Sequence, residues 1–395
     1  MEYEVHMIST EAWVLYAGPI NAPPGQPGEF KREEFCFADI AEDEVLAEPL
    51  YGCWESNMSH AITRNPIDVC RYRRESRIVL GNAGIVRIKR TGRNVTVGRE
   101  GDLAILAPIG SVDQFGYAKK IMAFDAPNTM GLLAKQMKLH ERQLAVVPPN
   151  SRHSVKQWAA FALRYATAWA NWKVAYGCWR LQMPESFMPT PYVCSWGGGV
   201  GLAEVTLAKY FGCRVSMMAS TDERLKLLTK LGIEPIDRRR FLNLAYDEEK
   251  YESDRPYRRE YLANEAAFLQ AIRAWTEETG VCILIDNIGK PVFRASLKAL
   301  GRQGVLATAG WKHGMDLRVA RAAECINRHI HVFTHGASYL EGIAALKFAE
   351  ETGWMPPSEG DVYTWDKIGQ LAQDFQCSKV KSYFPLFEVT PPETP

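Results

Sequence analysis

The stretch that decides the fold is Tyr192-Val193-Cys194-Ser195-Trp196-Gly197-Gly198-Gly199-Val200-Gly201. It opens with four residues of strand type, continues as a glycine-rich turn, and leads into an apolar-periodic segment over 202–211 that predicts a helix. A strand, a glycine-rich turn and a helix in this order predict a binding site for the diphosphate of a dinucleotide. The alternative interpretation is a tight turn without a ligand.

We expect each residue of this turn to have its own role in binding the diphosphate or in packing the helix. Gly198 would let the backbone approach the diphosphate, and Gly201 would let the helix pack closely on the strand. The helix N-terminus, including Gly199 and Val200, would offer unpaired N–H groups and a positive dipole end. Trp196 stands where the first glycine of the usual pattern would be.

The same rhythm of strands and helices continues after the turn. Further strands are predicted at 214–218, 281–285, 304–308 and 329–333. Alternation of this kind predicts an α/β fold with a doubly wound parallel sheet and right-handed crossovers. A charged, tyrosine-rich insertion at 238–267 interrupts the rhythm, and we interpret it as a solvated helical excursion rather than a binding tail.

The chain before the turn has a different character. Short β-type runs broken by glycine, proline and charge predict an irregular β-rich domain up to about residue 150, and Ser154 is expected to cap a helix that links it to the sheet. After residue 340 a helix near 366–374 and a strand at 383–389 would return to the first domain. The predicted organisation is therefore 1–165 with 341–395 as one domain and 166–340 as the other.

Composition excludes several classes of partner. The 47 basic and 46 acidic residues give a formal charge of +1, which does not favour binding to nucleic acid or an anionic membrane. No uncharged apolar run approaches bilayer length, and the N-terminus lacks the features of a secretory signal. The nine cysteines are scattered and form no C-x-x-C pair, so a reduced, cytoplasmic chain is expected.

The residues after the second strand indicate which dinucleotide would bind. An NAD site usually places an acidic residue there to bond the ribose 2′-hydroxyl, whereas this chain has the segment Ala219-Ser220-Thr221-Asp222-Glu223-Arg224. Small, neutral Ala219 and Ser220 occupy that region, and Arg224 and Arg238 could donate to a 2′-phosphate, which favours NADPH. Ser220 and Thr221 are also expected to contact the cofactor. Asp222 and Glu223 argue for NADH, although acidic residues are also common in the first turn of a helix.

Motifs along most of the chain resemble the zinc-independent branch of the medium-chain dehydrogenase/reductases. The motifs, besides the glycine turn, are Leu80-Gly81-Asn82-Ala83-Gly84, Val95-Thr96-Val97-Gly98, Gly101-Asp102, Thr167-Ala168-Trp169 and Ile285-Asp286-Asn287-Ile288-Gly289. The resemblance implies a Rossmann sheet with a GroES-like catalytic domain. It also implies a homodimer formed by extending the two nucleotide-domain sheets.

Zinc ligands of related enzymes are replaced in this chain. The zinc-dependent members of this family carry a His-Glu pair where this chain has Asn82 and Ala83. No cysteine lies between Cys70 and Cys178, so the chain also lacks the cysteines of the family's structural zinc lobe. Cys53, Glu55, His60 and His140 could assemble a metal site, but their spacing forms no motif. No metal is therefore expected.

Within the branch, the long N-terminal part, the segment Phe124-Asp125-Ala126-Pro127-Asn128-Thr129 and the insertion after Asp237 resemble crotonyl-CoA reductase/carboxylases. This resemblance implies an enoyl thioester substrate, bound to CoA or an acyl carrier protein. Hydride from the nicotinamide would add to the activated alkene, and the enolate would then be protonated or, in that subgroup, carboxylated.

Such chemistry needs a donor to the substrate carbonyl oxygen and a proton source. The segment 51–60 occupies the position of the family's catalytic loop, and its candidate catalytic residues are Tyr51, Glu55, Asn57 and His60. Tyr51 could instead be an ordinary core aromatic residue, and His60 a structural histidine. Besides the residues named above, the expected cofactor contacts are Thr167, Asn287, Gly310, Trp311 and Lys312.

Two other functions stay open at this point. One is a quinone or small-enone reductase of the same fold. The other is a non-catalytic relative that binds NADPH, which Trp196 in the glycine turn and the unfamiliar loop around Trp54 suggest.

Overall fold

The computed structural model describes residues 6–20, 23, 25–310, 328–334, 338–357, 360 and 362–391. The chain forms two compact units, Met1–Ala166 with Ala337–Pro395 and Thr167–Gly336. We call the first the β-rich unit and the second the parallel-sheet unit.

The strands, numbered in chain order, are Met7–Tyr16 (β1), Phe30–Ala38 (β2), Glu44–Cys53 (β3), Arg77–Val79 (β4), Gly84–Thr91 (β5), Leu103–Leu106 (β6), Ile109–Val112 (β7), Ala118–Ile121 (β8), Met137–His140 (β9), Leu144–Val146 (β10), Tyr192–Ser195 (β11), Arg214–Ala219 (β12), Glu234–Asp237 (β13), Val281–Ile285 (β14), Leu300–Thr308 (β15), His331–Thr334 (β16), Val362–Tyr363 (β17) and Leu386–Glu388 (β18). The helices are Ser56–Thr63 (α1), Val69–Arg73 (α2), Val155–Arg180 (α3), Gly198–Tyr210 (α4), Asp222–Lys230 (α5), Glu248–Ser253 (α6), Arg255–Trp275 (α7), Lys290–Ala299 (α8), Tyr339–Thr352 (α9) and Ile368–Gln376 (α10).

The β-rich unit is built on a seven-stranded sheet of order β10-β6-β5-β3-β18-β17, with β9 also paired to β3. Smaller sheets, β2-β1-β4 and β7-β8, accompany it. Strand β3 alternates between partly exposed and buried residues in its first half and is buried throughout its second half, where β5 and β18 flank it on both sides. The buried end of β3 therefore carries the first of the candidate catalytic residues.

The parallel-sheet unit contains a six-stranded sheet of order β13-β12-β11-β14-β15-β16 with every neighbouring pair parallel. Strands β11 and β14 are buried along their whole length, as is usual for apolar strands covered by helices on both faces. The strand order reverses between β11 and β14. The sequence prediction of a doubly wound parallel sheet is confirmed, and this reversal is the topological switch point where such folds bind their ligands.

Local hydrogen bonds fix the helix starts. The Gln157 backbone N–H donates to Ser154 Oγ at 3.2 Å, and the Ser154 N–H donates to Gln157 Oε1 at 3.0 Å. This reciprocal arrangement is a capping box, and it confirms Ser154 as the cap of α3. The helix begins in the β-rich unit and ends in the parallel-sheet unit.

Two local predictions need correction. The segment 51–60 is not a loop, because Tyr51-Gly52-Cys53 completes β3 through pairing with β18 and β5, and α1 follows at once. The insertion is helical as predicted, but it is not simply solvated. Tyr246, Tyr251 and Tyr261 surround the Arg294 guanidinium of α8, with ring centroids 4.9, 4.6 and 5.9 Å away.

No helix among the residues that the structure describes has both the length and the apolar character needed to cross a bilayer.

Candidate cofactor and active sites

The glycine turn has the backbone geometry of an anion-binding bend. Gly197 and Gly198 have φ values of +119° and +84°, a region that strongly favours glycine. Helix α4 begins at Gly198, so the N–H groups of its first turn, including those of Gly199 and Val200, have no partner within the helix. A Cβ built on Gly198 would meet nothing within 4 Å, so the turn is open on this side.

Gly201 brings helix and strand together as the sequence predicts. A Cβ at this position would lie 2.3 Å from Ser195 Oγ, a distance that a real side chain cannot adopt. Ser195 is fully buried, and its Oγ accepts a hydrogen bond from the Gly197 N–H at 3.2 Å. Any side chain at residue 201 would therefore disturb the bond that shapes the turn.

Trp196 turns away from the glycine turn into the core. Its ring stacks on Phe268 with centroids 4.9 Å apart, and its Nε1–H donates to Ser296 Oγ at 2.7 Å. Ser296 Oγ in turn donates to Asp286 Oδ2 at 2.9 Å. The indole therefore anchors the turn, through Ser296, to the buried Asp286, and it does not cover the turn. This removes one of the two reasons for suspecting a non-catalytic relative.

The ends of β14 and β15 meet beside the switch point. Asn287 Oδ1 accepts a hydrogen bond from the Ala309 N–H at 2.7 Å, and a Cβ at Gly310 would lie 3.3 Å from Asn287 Cβ. Asn287 Nδ2 is buried and has no hydrogen-bond partner among the described residues. This amide can therefore donate to a ligand. The predicted contacts Trp311 and Lys312 lie outside the described residues.

The end of β12 and the start of α5 form the corner predicted to hold the adenosine. Ser220 is exposed, whereas Thr221 Oγ1 accepts a hydrogen bond from the Arg224 N–H at 3.3 Å and caps α5. The Arg224 side chain is half-buried, and Arg238 is exposed directly after β13. Sequence reasoning missed Arg239, whose Nη2 bonds both Asp222 and Asp237.

In the β-rich unit, Tyr51 is buried with a bonded hydroxyl. Its O–H donates to Glu388 Oε2 at 3.0 Å, across the register that pairs the two residues in β3 and β18. Burial, followed by the Glu388 carboxylate, raises the pKa of Tyr51 to about 12. The phenol therefore keeps its proton at neutral pH and acts as a hydrogen-bond donor.

Glu55 forms a buried ion pair with Arg164 of α3. The Arg164 Nε lies 2.9 and 3.1 Å from the two carboxylate oxygens, and Nη1 and Nη2 donate to the carbonyls of Tyr383 and Trp54. Burial raises the pKa of Glu55, while the guanidinium opposes that shift. The sequence analysis missed Arg164. It could have been found as the one charged residue in the mainly apolar segment 158–170.

Helix α1 carries the other two candidates in this unit. Asn57 Oδ1 is buried without a hydrogen-bond partner among the described residues, and His60 is half-buried. Thr167, also half-buried, is the first residue of the parallel-sheet unit. Tyr51 therefore lies on β3, Asn57 and His60 lie on α1, and Glu55 is the N-cap residue between them.

Asn82 and Ala83, which the sequence analysis placed opposite a His-Glu pair, are buried. Asn82 is 1% exposed, and neither atom of its amide has a hydrogen-bond partner in the described part of the chain. Cys53 and Glu55 lie beside Arg164, while His140 contacts Asp43 at 3.0 Å. Within the described ranges, no group of three or more His, Cys, Asp or Glu residues is arranged to hold a metal ion.

Sequence reasoning also missed a buried acid behind the glycine turn. Glu204 of α4 is fully buried, and Asn171 Nδ2 donates to both of its carboxylate oxygens at 3.0 Å. Burial raises the pKa of Glu204 to about 8, and the bond from Asn171 only partly offsets that shift. The periodic apolar pattern of α4 gives no sign that a carboxyl lies on its inner face.

Glu204 makes the stability of the chain dependent on pH. Between the ordinary carboxyl pKa of 4.5 and about 8, folded Glu204 holds a proton that the unfolded chain has lost. The free energy of unfolding should therefore fall with rising pH in this window, by about 1.4 kcal/mol per pH unit from this group. Urea unfolding at several pH values would measure this dependence. The fall of the unfolding free energy with pH should be smaller in Glu204→Gln and unchanged in the exposed control Glu249→Gln. An unaltered dependence on pH in Glu204→Gln would contradict the assignment.

No protein-family model matches the chain. A quinone oxidoreductase of Pongo abelii is 22% identical over 222 residues, which are 55% of this chain and 58% of the relative. The match thus spans little more than half the length of this quinone oxidoreductase.

Solved structures match over almost the whole chain. A crotonyl-CoA carboxylase/reductase in complex with NADP has a TM-score of 0.79 at 19% identity, and the match covers 98% of this chain and 96% of that one. A 2-octenoyl-CoA carboxylase reductase in complex with NADP and 2-octenoyl-CoA has a TM-score of 0.78 at 18% identity, covering 98% and 89%. These likenesses establish the fold, a Rossmann sheet with a GroES-like β-rich unit, which the sequence predicted.

Proposed function

We propose that this chain, which has the fold of the medium-chain dehydrogenase/reductases, is a zinc-independent, NADPH-dependent reductase. Its substrate would be the C=C bond of an α,β-unsaturated thioester bound to CoA or an acyl carrier protein. The observation that carries the proposal is the open glycine turn at the switch point of the parallel sheet. The likeness to solved structures that hold NADP, and in one case 2-octenoyl-CoA, supports it.

The residues of the parallel-sheet unit fit a dinucleotide. The diphosphate would bind the N–H groups of Gly198, Gly199, Val200 and Gly201 at the positive end of α4. The unpartnered Asn287 Nδ2, near Gly310, suits a carbonyl acceptor on the ligand. Ser220, Thr221, Arg224 and Arg238 would face the 2′-phosphate, and Thr167 the nicotinamide. When bound, the cofactor would supply the hydride.

The β-rich unit would supply the polar groups that the reaction needs. We assign Tyr51 as a donor to the negative charge that develops on the thioester oxygen; its O–H would exchange the bond to Glu388 for one to the substrate. The unpartnered Oδ1 of Asn57 suits a donor group of the substrate, and His60 is the candidate proton source. Glu55 is no longer assigned a catalytic role, because its carboxylate is paired with Arg164, which it holds in position.

The alternative is a quinone or small-enone reductase, which the match to a quinone oxidoreductase favours. Carboxylation of the enolate in place of protonation is the outcome that the likeness to solved carboxylase/reductases favours. The proposal includes a homodimer in the cytoplasm, without nucleic acid or membrane partners.

Cofactor consumption separates these activities. We expect the purified chain to oxidise NADPH faster than NADH with crotonyl-CoA or 2-octenoyl-CoA, and to be unaffected by a metal chelator. Bicarbonate would add a carboxyl group to the product only if the chain is a carboxylase, which mass spectrometry would detect. If NADPH were oxidised with a simple quinone but not with the thioesters, the substrate would be a quinone and the proposed thioester would be wrong. Lost activity that zinc restores would overturn the zinc-independent assignment.

A further inference from the structure

Arg239 bridges two carboxylates at the corner of the sheet formed by β12 and β13. Its Nη2 lies 2.7 Å from Asp222 Oδ1 and 2.8 Å from Asp237 Oδ2, and its Nε lies 2.9 and 3.1 Å from the two oxygens of Asp237. The backbone N–H of Arg239 also donates to Asp237 Oδ1 at 2.9 Å. One guanidinium therefore holds both acids, with a two-pronged contact to Asp237.

The two acids lie where dinucleotide-binding sheets recognise the ribose. Asp222 is the first residue of α5, three residues after the end of β12, and Asp237 is the last residue of β13, opposite Ala219 in the parallel register. An acid at this corner normally accepts a hydrogen bond from a 2′-hydroxyl and disfavours a 2′-phosphate. Left without Arg239, these residues would add two negative charges to the corner.

We propose that Arg239 is a positioning residue for cofactor specificity: it engages both Asp222 and Asp237 and removes one of their two negative charges, so that the corner accepts a 2′-phosphorylated nucleotide. The proposal rests on the proposed function, because it deepens the same nucleotide site. It explains how Asp222, one of the two acids that favour NADH in the sequence, can stand beside Arg224 and Arg238, which favour NADPH.

The three side chains of this cluster are partly to largely exposed. The side chains of Asp222, Arg239 and Asp237 are 70%, 43% and 28% exposed, and ion pairs at such exposure contribute little to stability. The Arg239 side chain holds the pKa of Asp237 below its usual range, so this acid is ionised at neutral pH. A nearby dianionic phosphate would therefore be repelled if Arg239 were absent.

Binding of two adenosine nucleotides to the full chain tests the role without depending on catalysis. The probes for calorimetry are adenosine 2′,5′-bisphosphate, which carries the 2′-phosphate, and adenosine 5′-monophosphate, which lacks it. In Arg239→Met we expect the bisphosphate to bind about tenfold more weakly and the monophosphate to bind within about twofold of wild type. High salt should reduce the difference because it screens the carboxylates. Arg240→Met, an exposed neighbour with the same change of charge, is the matched control.

A rescue variant distinguishes neutralisation from direct contact. Asp222→Asn and Asp237→Asn combined with Arg239→Met should restore bisphosphate binding to the wild-type level or better, because no unpaired carboxylate remains. A persistent loss would show that Arg239 contacts the phosphate itself and would overturn the positioning role, as would an equal loss for both nucleotides. If wild type binds neither nucleotide, the dinucleotide site of the proposed function fails instead.

Discussion

Replacing Glu55 by alanine should destabilise the β-rich unit by about 3–5 kcal/mol, because it leaves a buried guanidinium without its counter-ion. Arg164 is 5% exposed, and its other hydrogen bonds go to the neutral carbonyls of Trp54 and Tyr383. Urea unfolding of wild type and Glu55→Ala would measure the difference as a shift of the midpoint.

A double variant separates structure from catalysis. Glu55→Leu with Arg164→Met removes both charges and should recover most of the stability, since replacing a whole buried ion pair by apolar residues is often close to neutral. Glu44→Ala, which removes a partly exposed partner of Lys138, should cost no more than about 1 kcal/mol. A Glu55→Ala variant of normal stability that has lost reductase activity would restore Glu55 to the catalytic residues.

The elements that the sequence predicted are those whose signals are local. The glycine turn and the Ser154 cap depend on neighbouring residues, and the structure places both as expected. The strands of the parallel sheet are also found, although 304–308 is extended to Leu300–Thr308 and 329–333 is shifted to His331–Thr334. The segment 51–60 was misinterpreted because its strand is completed by β18, which lies more than 300 residues later in the sequence. No local pattern shows which distant strand will pair.

The missed residues share a dependence on tertiary contacts. Arg164, Asn171 and Glu204 lie on helices whose sequences look apolar, and each acquires its importance from a partner on another element. Trp196 was misjudged in the same way, because the sequence shows it in the turn but not the Ser296 hydroxyl and Phe268 ring that draw it inward. The chemistry of the candidate sites therefore becomes visible only with the fold.

Replacing Gly201 by alanine should weaken NADPH binding about tenfold or more. The new Cβ would lie 2.3 Å from Ser195 Oγ, and Ser195 is fully buried, so its hydroxyl must rotate away and release the Gly197 N–H. Gly197 has φ +119° and is the residue that turns the chain into α4, so its displacement would move the N–H groups that face the diphosphate. Overpacking of this kind should also lower the free energy of unfolding by about 1–3 kcal/mol.

Combining Gly201→Ala with Ser195→Ala tests whether this close approach is the cause. Removing the hydroxyl leaves the Ser195 Cβ as the nearest atom at 3.4 Å, an ordinary contact, so stability should largely recover. Cofactor binding should recover only in part, because the hydrogen bond from Gly197 is still missing. Gly177→Ala is the matched control, since this glycine of α3 has nothing within 4 Å of the added Cβ and should gain about 0.4–1 kcal/mol. Fluorescence titration with NADPH measures binding, and wild-type affinity in Gly201→Ala would mean that the packing of α4 on β11 does not shape the turn that binds the diphosphate.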